Sequence, residues 1–277
     1  MSFVGLCMRL IETADGFQIL MYRSISLCAM VALVCCLRRR VGLVSFLRGL
    51  DRHDVAMGTM LSIAFSTYVF SMLYTSVAST LFILTIAPFM AAIIGWVWIG
   101  EKPHPVTWFA MIGAIFGVGL MIGDGIEMGR TFGNLLALVS ALCFAVMLVL
   151  ARRSRKQDVL GGTFLGGIFA FLIGLVANGV TGIGLEVTPR DLGIILFMGA
   201  FTIGIGIAFV TWGASYVPAA EVSLLVLIES VLGPIWPWLF LGEALSLMEI
   251  IGGVTVMLAV VMMTIFTRKT LSSRSPQ

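Results

Sequence analysis

The stretch Pro218–Glu243, PAAEVSLLVLIESVLGPIWPWLFLGE, decides the fold. It is an apolar run long enough to cross a bilayer, which takes about 20 residues at 1.5 Å rise each. Glu229 sits near its middle, Pro234 and Pro237 interrupt it, and it ends in Leu-Gly-Glu. The same design lies 142 positions earlier, at residues 78–101, ASTLFILTIAPFMAAIIGWVWIGE. At that offset Tyr74 matches Tyr216, Ala78 matches Ala220, Trp96 matches Trp238, Gly100 matches Gly242 and Glu101 matches Glu243. The offset is about half of the 277-residue chain, which reads as one unit used twice.

Outward from this pair, further apolar runs fall at about 16–37, 55–75, 106–123, 133–151, 159–182, 191–214 and 247–267. A shorter run, MSFVGLCMRLIE, opens the chain and resembles the later part of the 133–151 run. Its opening turns are therefore expected to be missing, through a late start codon or a clipped chain; a genuinely short helix is the alternative. The expected fold is an all-α membrane protein of ten transmembrane helices. Its domains are a first repeat at 1–123, a second at 131–267 and a cytoplasmic tail at 268–277. The runs are continuous rather than alternating, which excludes a β-barrel reading. With 60% hydrophobic and 11% charged residues, the composition belongs in lipid, since soluble domains carry about 25% charged residues.

The loops set the orientation. If every run crosses, thirteen cations (Arg38, Arg39, Arg40, Arg48, Arg52, Lys102, Arg152, Arg153, Arg155, Lys156, Arg268, Lys269 and Arg274) fall on one side. The other side has Arg130 and Arg190, while Arg9 and Arg23 lie within runs. That bias predicts both termini in the cytoplasm. Five spans per half is an odd number, so the second half enters the membrane upside down. Inverted repeats of this kind let a transporter rock around a midplane site.

Chemistry-bearing motifs are sparse. His53 and His104 fall in predicted loops, and neither HExxH nor a P-loop signature is present. The reading is therefore not an enzyme, with no cofactor, no catalytic residue and no metal. A net charge of +3 without a basic stripe argues against nucleic acid as a partner. Cys7, Cys28, Cys35, Cys36 and Cys143 lack metal-type spacing and read as small packing residues. Glycines 113, 117, 119 and 123, with 162 and 166 and with 199, 204, 206 and 213, are spaced for close helix packing.

Candidate substrate contacts follow from polarity within runs. Glu229 is a carboxylate at membrane depth, which must face protein, water, a cation or a proton. It reads equally as a substrate or proton site and as a hydrogen-bonded anchor between helices. Arg23 can attract a substrate carboxylate; the bland alternative is that it snorkels or pairs with Glu12 or Asp15. Thr67, Tyr68 and Ser71 on the third span and Thr211 and Trp212 on the eighth occupy equivalent helices, where they line a cavity or bond between helices. Asn178 on the seventh span has the same two readings. Glu101 and Glu243 read as structural stops.

The twofold Gly-Glu ending, the second-half Leu-Ile-Glu-Ser-Val-Leu-Gly-Pro and the glycine-rich last span together resemble the EamA family of the drug/metabolite transporter superfamily. The resemblance covers about 1–123 and 131–267. The first half departs from it with Ala87 opposite Glu229 and with its short first helix. It implies ten helices, cytoplasmic termini, a central cavity shared by both halves, and peripheral fifth and tenth spans. Members typically move small metabolites, often exporting amino acids, their derivatives, nucleobases or toxic analogues. The expectation is thus a multi-pass permease of a bacterial inner membrane, a secondary transporter exporting a small-molecule substrate by alternating access. Protons are an admissible coupling ion and a homodimer an admissible assembly. The alternative is a non-transporting polytopic protein, an assembly partner or lipid-handling factor.

Overall fold

A computed structural model describes residues 2–39, 42–100, 105–127, 130–154, 160–206, 232–243 and 245–272. These residues are helical, without strands among them. In order they form α1 (Val4–Leu10), α2 (Gly16–Arg39), α3 (Leu43–Arg48), α4 (Arg52–Tyr74), α5 (Val77–Leu84), α6 (Ala87–Ile99), α7 (Pro105–Glu127), α8 (Thr131–Ser154), α9 (Leu160–Thr181) and α10 (Pro189–Phe197). A π-helical stretch, Met198–Ile205, continues α10. Then follow α11 (Leu232–Leu241) and α12 (Leu247–Ser272). Among the described residues, five helical segments are long and apolar enough to cross a membrane: Gly16–Leu37, Arg52–Tyr74, Val77–Ile99, Thr131–Ala151 and Leu160–Thr181. The protein is a multi-pass membrane protein.

Local chemistry explains the element ends. Asp51 caps α4, accepting from the His53 and Asp54 N–H groups, and Asp54 returns a bond to the Asp51 N–H. The fourth span breaks at Thr85 and Ile86, where the bonds become i→i+3 and Pro88 follows without an N–H to give. The repeated Gly-Glu ending has a backbone cause. Gly100 (φ 78°) and Gly242 (φ 65°) both adopt the left-handed conformation. Their N–H groups bond the carbonyls of Trp96 and Trp238, which are equivalent residues in the two halves.

Small residues decide which helices touch. Gly162 and Gly166 of α9 lie against Met57 and Leu61 of α4, so these two helices run parallel. Gly174 lies against Phe17 and Met21, and Gly167 against Ser24 and Cys28, so α9 runs antiparallel to α2. Gly117 approaches the Gly252 carbonyl and Gly113 approaches Ala259, so α7 is antiparallel to α12. Ala110, Ala114, Ala137 and Ala141 fill the core between α7, α8 and α12. Gly199 and Gly204 press the π-helical stretch onto α2 at Arg23, Ser26 and Met30, in parallel. The glycine spacings thus work as packing surfaces at these positions, whereas Gly95 and Gly119 meet nothing within 4 Å.

The connections sort onto two faces. Residues 12–14 bond to Asp191, the Gln18 side chain donates to the Gly184 and Glu186 carbonyls, and residues 75–77 bond to Arg9, Asn134, Glu243 and Glu249. Asp54 lies against Gly161 on the opposite face. The charged face of the second kind also carries α3, a short helix that the hydropathy runs do not anticipate.

Gly199 generates a test. A Cβ there collides with the Arg23 carbonyl oxygen, a backbone atom that cannot step aside. Gly199→Ala is expected to cost about 1–3 kcal/mol, read as a lower thermal midpoint in detergent. Gly95→Ala, in open space on α6, is expected to leave that midpoint unchanged or raised.

Candidate functional site

Polar residues converge at one face of the bundle, where both halves of the chain meet. Arg9 of α1 donates to Glu243 through both Nε (3.1 Å) and Nη2 (3.0 Å). The same Nη2 donates to the Thr75 carbonyl at 2.8 Å, at the end of α4. Glu243 also accepts the Val77 N–H at 3.2 Å. A planar guanidinium presents paired donors that suit a carboxylate, and a helix end offers it negative partial charge.

Beside it lies a second ion pair. Glu249, 1% exposed, accepts from Arg130 at 3.3 Å and from Ser79 Oγ at 2.7 Å, and Ser76 Oγ donates to it as well. Its other oxygen takes the Ser246 N–H at 3.0 Å, and the Glu249 N–H donates to Ser246 Oγ. Ser246 and Glu249 therefore form the reciprocal capping box of α12. This one carboxylate holds the start of α12, the turn into α5 and the start of α8. A cleft of about 220 Å³ opens between the two pairs, lined by Arg9, Tyr74, Thr75, Ser76, Arg130 and Glu243.

A third contact holds the same face. Asp191, 1% exposed in the first turn of α10, accepts the Thr13 hydroxyl (2.6 Å) and N–H (2.9 Å) and the Ala14 N–H (3.3 Å). Arg190 pairs with Glu12 at 2.7 Å, with both side chains exposed.

The predicted substrate residues divide. Glu229, Thr211 and Trp212 lie outside the described residues. Arg23 is completely buried; its Nη2 donates to the Phe65 carbonyl at 3.3 Å, and its guanidinium carbon lies 5.3 Å from the Phe65 ring centre. It pairs with neither Glu12 nor Asp15, because Glu12 holds Arg190 and Asp15 accepts the Phe17 N–H. Tyr68 packs one turn from Phe65 on the same helix. Thr67 bonds back to the Ile63 and Ala64 carbonyls, and Ser71 shares a 2.8 Å bond with Thr80. Asn178 donates to the Gly174 carbonyl, and its own oxygen has no partner. Arg23 thus lies against α4 at Phe65, one turn from Tyr68.

Hydropathy missed the Arg9, Arg130 and Glu249 cluster, since Arg9 sits in an apolar run and Arg130 in a loop. One signal was available: Ser-Leu-Met-Glu at 246–249, ahead of an apolar run, is a capping-box pattern.

Glycine-tight apolar helices and a polar cluster that joins the two halves at one face define a polytopic helical membrane protein. The EamA-like transporter family matches residues 1–123 and 131–265, and the chain belongs to it. An uncharacterized transporter of Archaeoglobus fulgidus is 26% identical over 220 residues, covering 76% of this chain and 75% of its own length. A solved crystal structure superposes with a TM-score of 0.68 at 19% identity, covering 97% of this chain and 94% of the other, which establishes a shared fold.

The buried carboxylate makes a prediction. Glu249→Gln leaves Arg130 without its anion and weakens bonds from two serines. It is expected to cost about 2–4 kcal/mol, measured as thermal or denaturant stability of the purified protein. Glu12→Gln, in an exposed pair, is expected to cost less than about 1 kcal/mol.

Proposed function

We propose that this protein is a secondary transporter that exports small polar or amphipathic metabolites by alternating access. Amino acids, their derivatives and nucleobase-like compounds are the expected substrate class. Two five-helix halves, 1–123 and 131–267, form inverted repeats, with 268–277 as a cytoplasmic tail. The observation that carries this reading is the direction of equivalent helices. At the 142-residue offset α2 corresponds to α9 and α7 to α12, and each pair runs antiparallel. A duplication with both halves the same way up would make them parallel.

The cation bias supports placing both termini in the cytoplasm, in a bacterial inner membrane. The face carrying Arg9, Glu243 and Glu249 is then external. In this reading the Arg9–Glu243 pair and the Ser76 and Ser79 bonds to Glu249 close the outer side between the halves, and export requires them to part. The Arg130–Glu249 pair stays with the second half and holds the start of α12 beside α8. Glu229, Arg23, Thr67, Tyr68, Ser71, Asn178, Thr211 and Trp212 are the proposed substrate contacts. Protons are a coupling ion consistent with Glu229, and a homodimer is consistent with the large apolar perimeter. The EamA-like family and the archaeal relative support a transporter, and hence a small-molecule partner and a lipid surround.

The test begins with metabolite profiles of cells with and without the protein, then measures flux of the compounds found in proteoliposomes. A compound that leaves cells only when the protein is present, and crosses the reconstituted membrane, is expected. No flux of any such compound would sink the proposal. Glu229→Gln is expected to reduce flux by tenfold or more, as loss of one charged contact worth about 1.4 kcal/mol or above; unchanged flux at every pH removes Glu229 from the mechanism. In a background without native cysteines, joining positions 9 and 243 by a disulfide is expected to stop flux, and a reductant to restore it.

A further inference from the structure

Arg23 is a charge that the packing leaves unspent. It is 0% exposed and lies seven residues into α2, about 10 Å from that helix's start at 1.5 Å per residue. A guanidinium stays protonated inside a protein. Its described partners, the Phe65 carbonyl and ring, are both uncharged. Its Nε and Nη1 have no hydrogen-bond partner. Arg9, Arg130 and Arg190 each face a carboxylate instead. The acids near the start of α2 are committed elsewhere: Glu12 to Arg190, Asp15 to the Phe17 N–H, and Asp191 to Thr13.

The element facing Arg23 is also unusual. Met198–Ile205 is π-helical, and its Gly199 presses against the Arg23 carbonyl. π-Helical turns are rare and concentrate at functional sites, because the extra residue per turn frees backbone groups and widens the helix. The π-helical stretch thus packs on the Arg23 backbone, while the unpaired guanidinium itself lies against α4, at Phe65 and one turn from the half-buried Tyr68.

We infer that Arg23 is an anion-binding group that selects solutes bearing a carboxylate. This rests on the transporter reading above and narrows its substrate class to amphipathic organic acids or zwitterions. The free Nε–H and Nη1–H groups supply charge-assisted donors, which are strongest where water is absent. Phe65 and Tyr68 offer an aromatic wall to the apolar part of such a molecule. A bound carboxylate converts an isolated buried charge into a pair, so the solute stabilises the conformer that holds it.

The test uses purified full-length protein and matched probes: leucine and leucinamide, tryptophan and tryptophanamide, phenylacetate and phenylacetamide. Thermal midpoints are recorded at constant ionic strength, with sodium chloride alone as control. In the wild type at least one acid is expected to raise the midpoint by several degrees while its amide does not. Arg23→Gln is expected to abolish that difference, and Arg23→Lys to keep it with about tenfold weaker binding, since an ammonium lacks the planar donor set. Without any probe, Arg23→Gln is expected to be as stable as the wild type or more so, because an unpaired buried charge is removed; a residue with a purely structural role would show the reverse. Equal responses to acid and amide overturn the inference. So do an acid response that survives Arg23→Gln, a matching rise with chloride alone, and silence toward every acid. Flux of the same probes in proteoliposomes separates the two claims. Acid-selective binding that depends on Arg23 but yields no flux sinks the transporter reading alone. Flux without preference for the acid sinks the Arg23 assignment alone.

Discussion

A charge carried into a bilayer has no water to turn to, and the arrangement of this chain follows from how that demand is met. Moving an ion into a low-dielectric interior costs several kcal/mol even after the surroundings relax. Arg9 and Glu249 meet the demand by finding opposite charge at the end of another helix, at Glu243 and Arg130. Each also takes neutral donors or acceptors, a carbonyl for Arg9 and two serine hydroxyls for Glu249. For Arg9 and Glu243, satisfying the charge and joining the two halves are one event. Glu243 and Arg9 are 234 residues apart.

Backbone packing supplies the second constraint. Lipid is as apolar as leucine, so burial of apolar surface gives little reason for helices to meet, and close contact between backbones must provide it. Glycine and alanine occupy the crossings of α4 with α9, α2 with α9 and α7 with α12. The large apolar side chains point outward instead, as Phe109, Ile112, Val180 and Phe240 do. This inverts the pattern of a water-soluble bundle.

Much of the fold could be read along the chain. Run length and composition are enough to identify membrane helices, and the Gly-Glu ending marked a real backbone event at Gly100 and Gly242. Glycine spacing anticipated the α9 and α7 contacts, although the same spacing at Gly119 meets nothing. The break at Thr85 has its cause in Pro88, yet the run reads as one continuous span; the π-helical stretch was not legible either, since no residue type codes for it. The candidate site was less legible. Polarity within a run picked out Arg23, Ser71 and Thr67 together, but only contacts show that Ser71 and Thr67 use their hydroxyls on neighbouring groups while Arg23 keeps two nitrogens free.

Sequence alone determined the medium, the helical class, the duplicated unit and the family, because hydropathy, run length and repeated motifs are local or periodic properties. Tertiary structure decided which helices touch, in which direction, and which charges find partners. Those outcomes depend on side chains far apart in the chain reaching the same place. Arg9 and Arg23 are both lone cations in apolar runs, and nothing near them in sequence tells them apart. The difference lies in what the fold brings alongside: a carboxylate for one, and for the other an uncharged carbonyl and an aromatic ring.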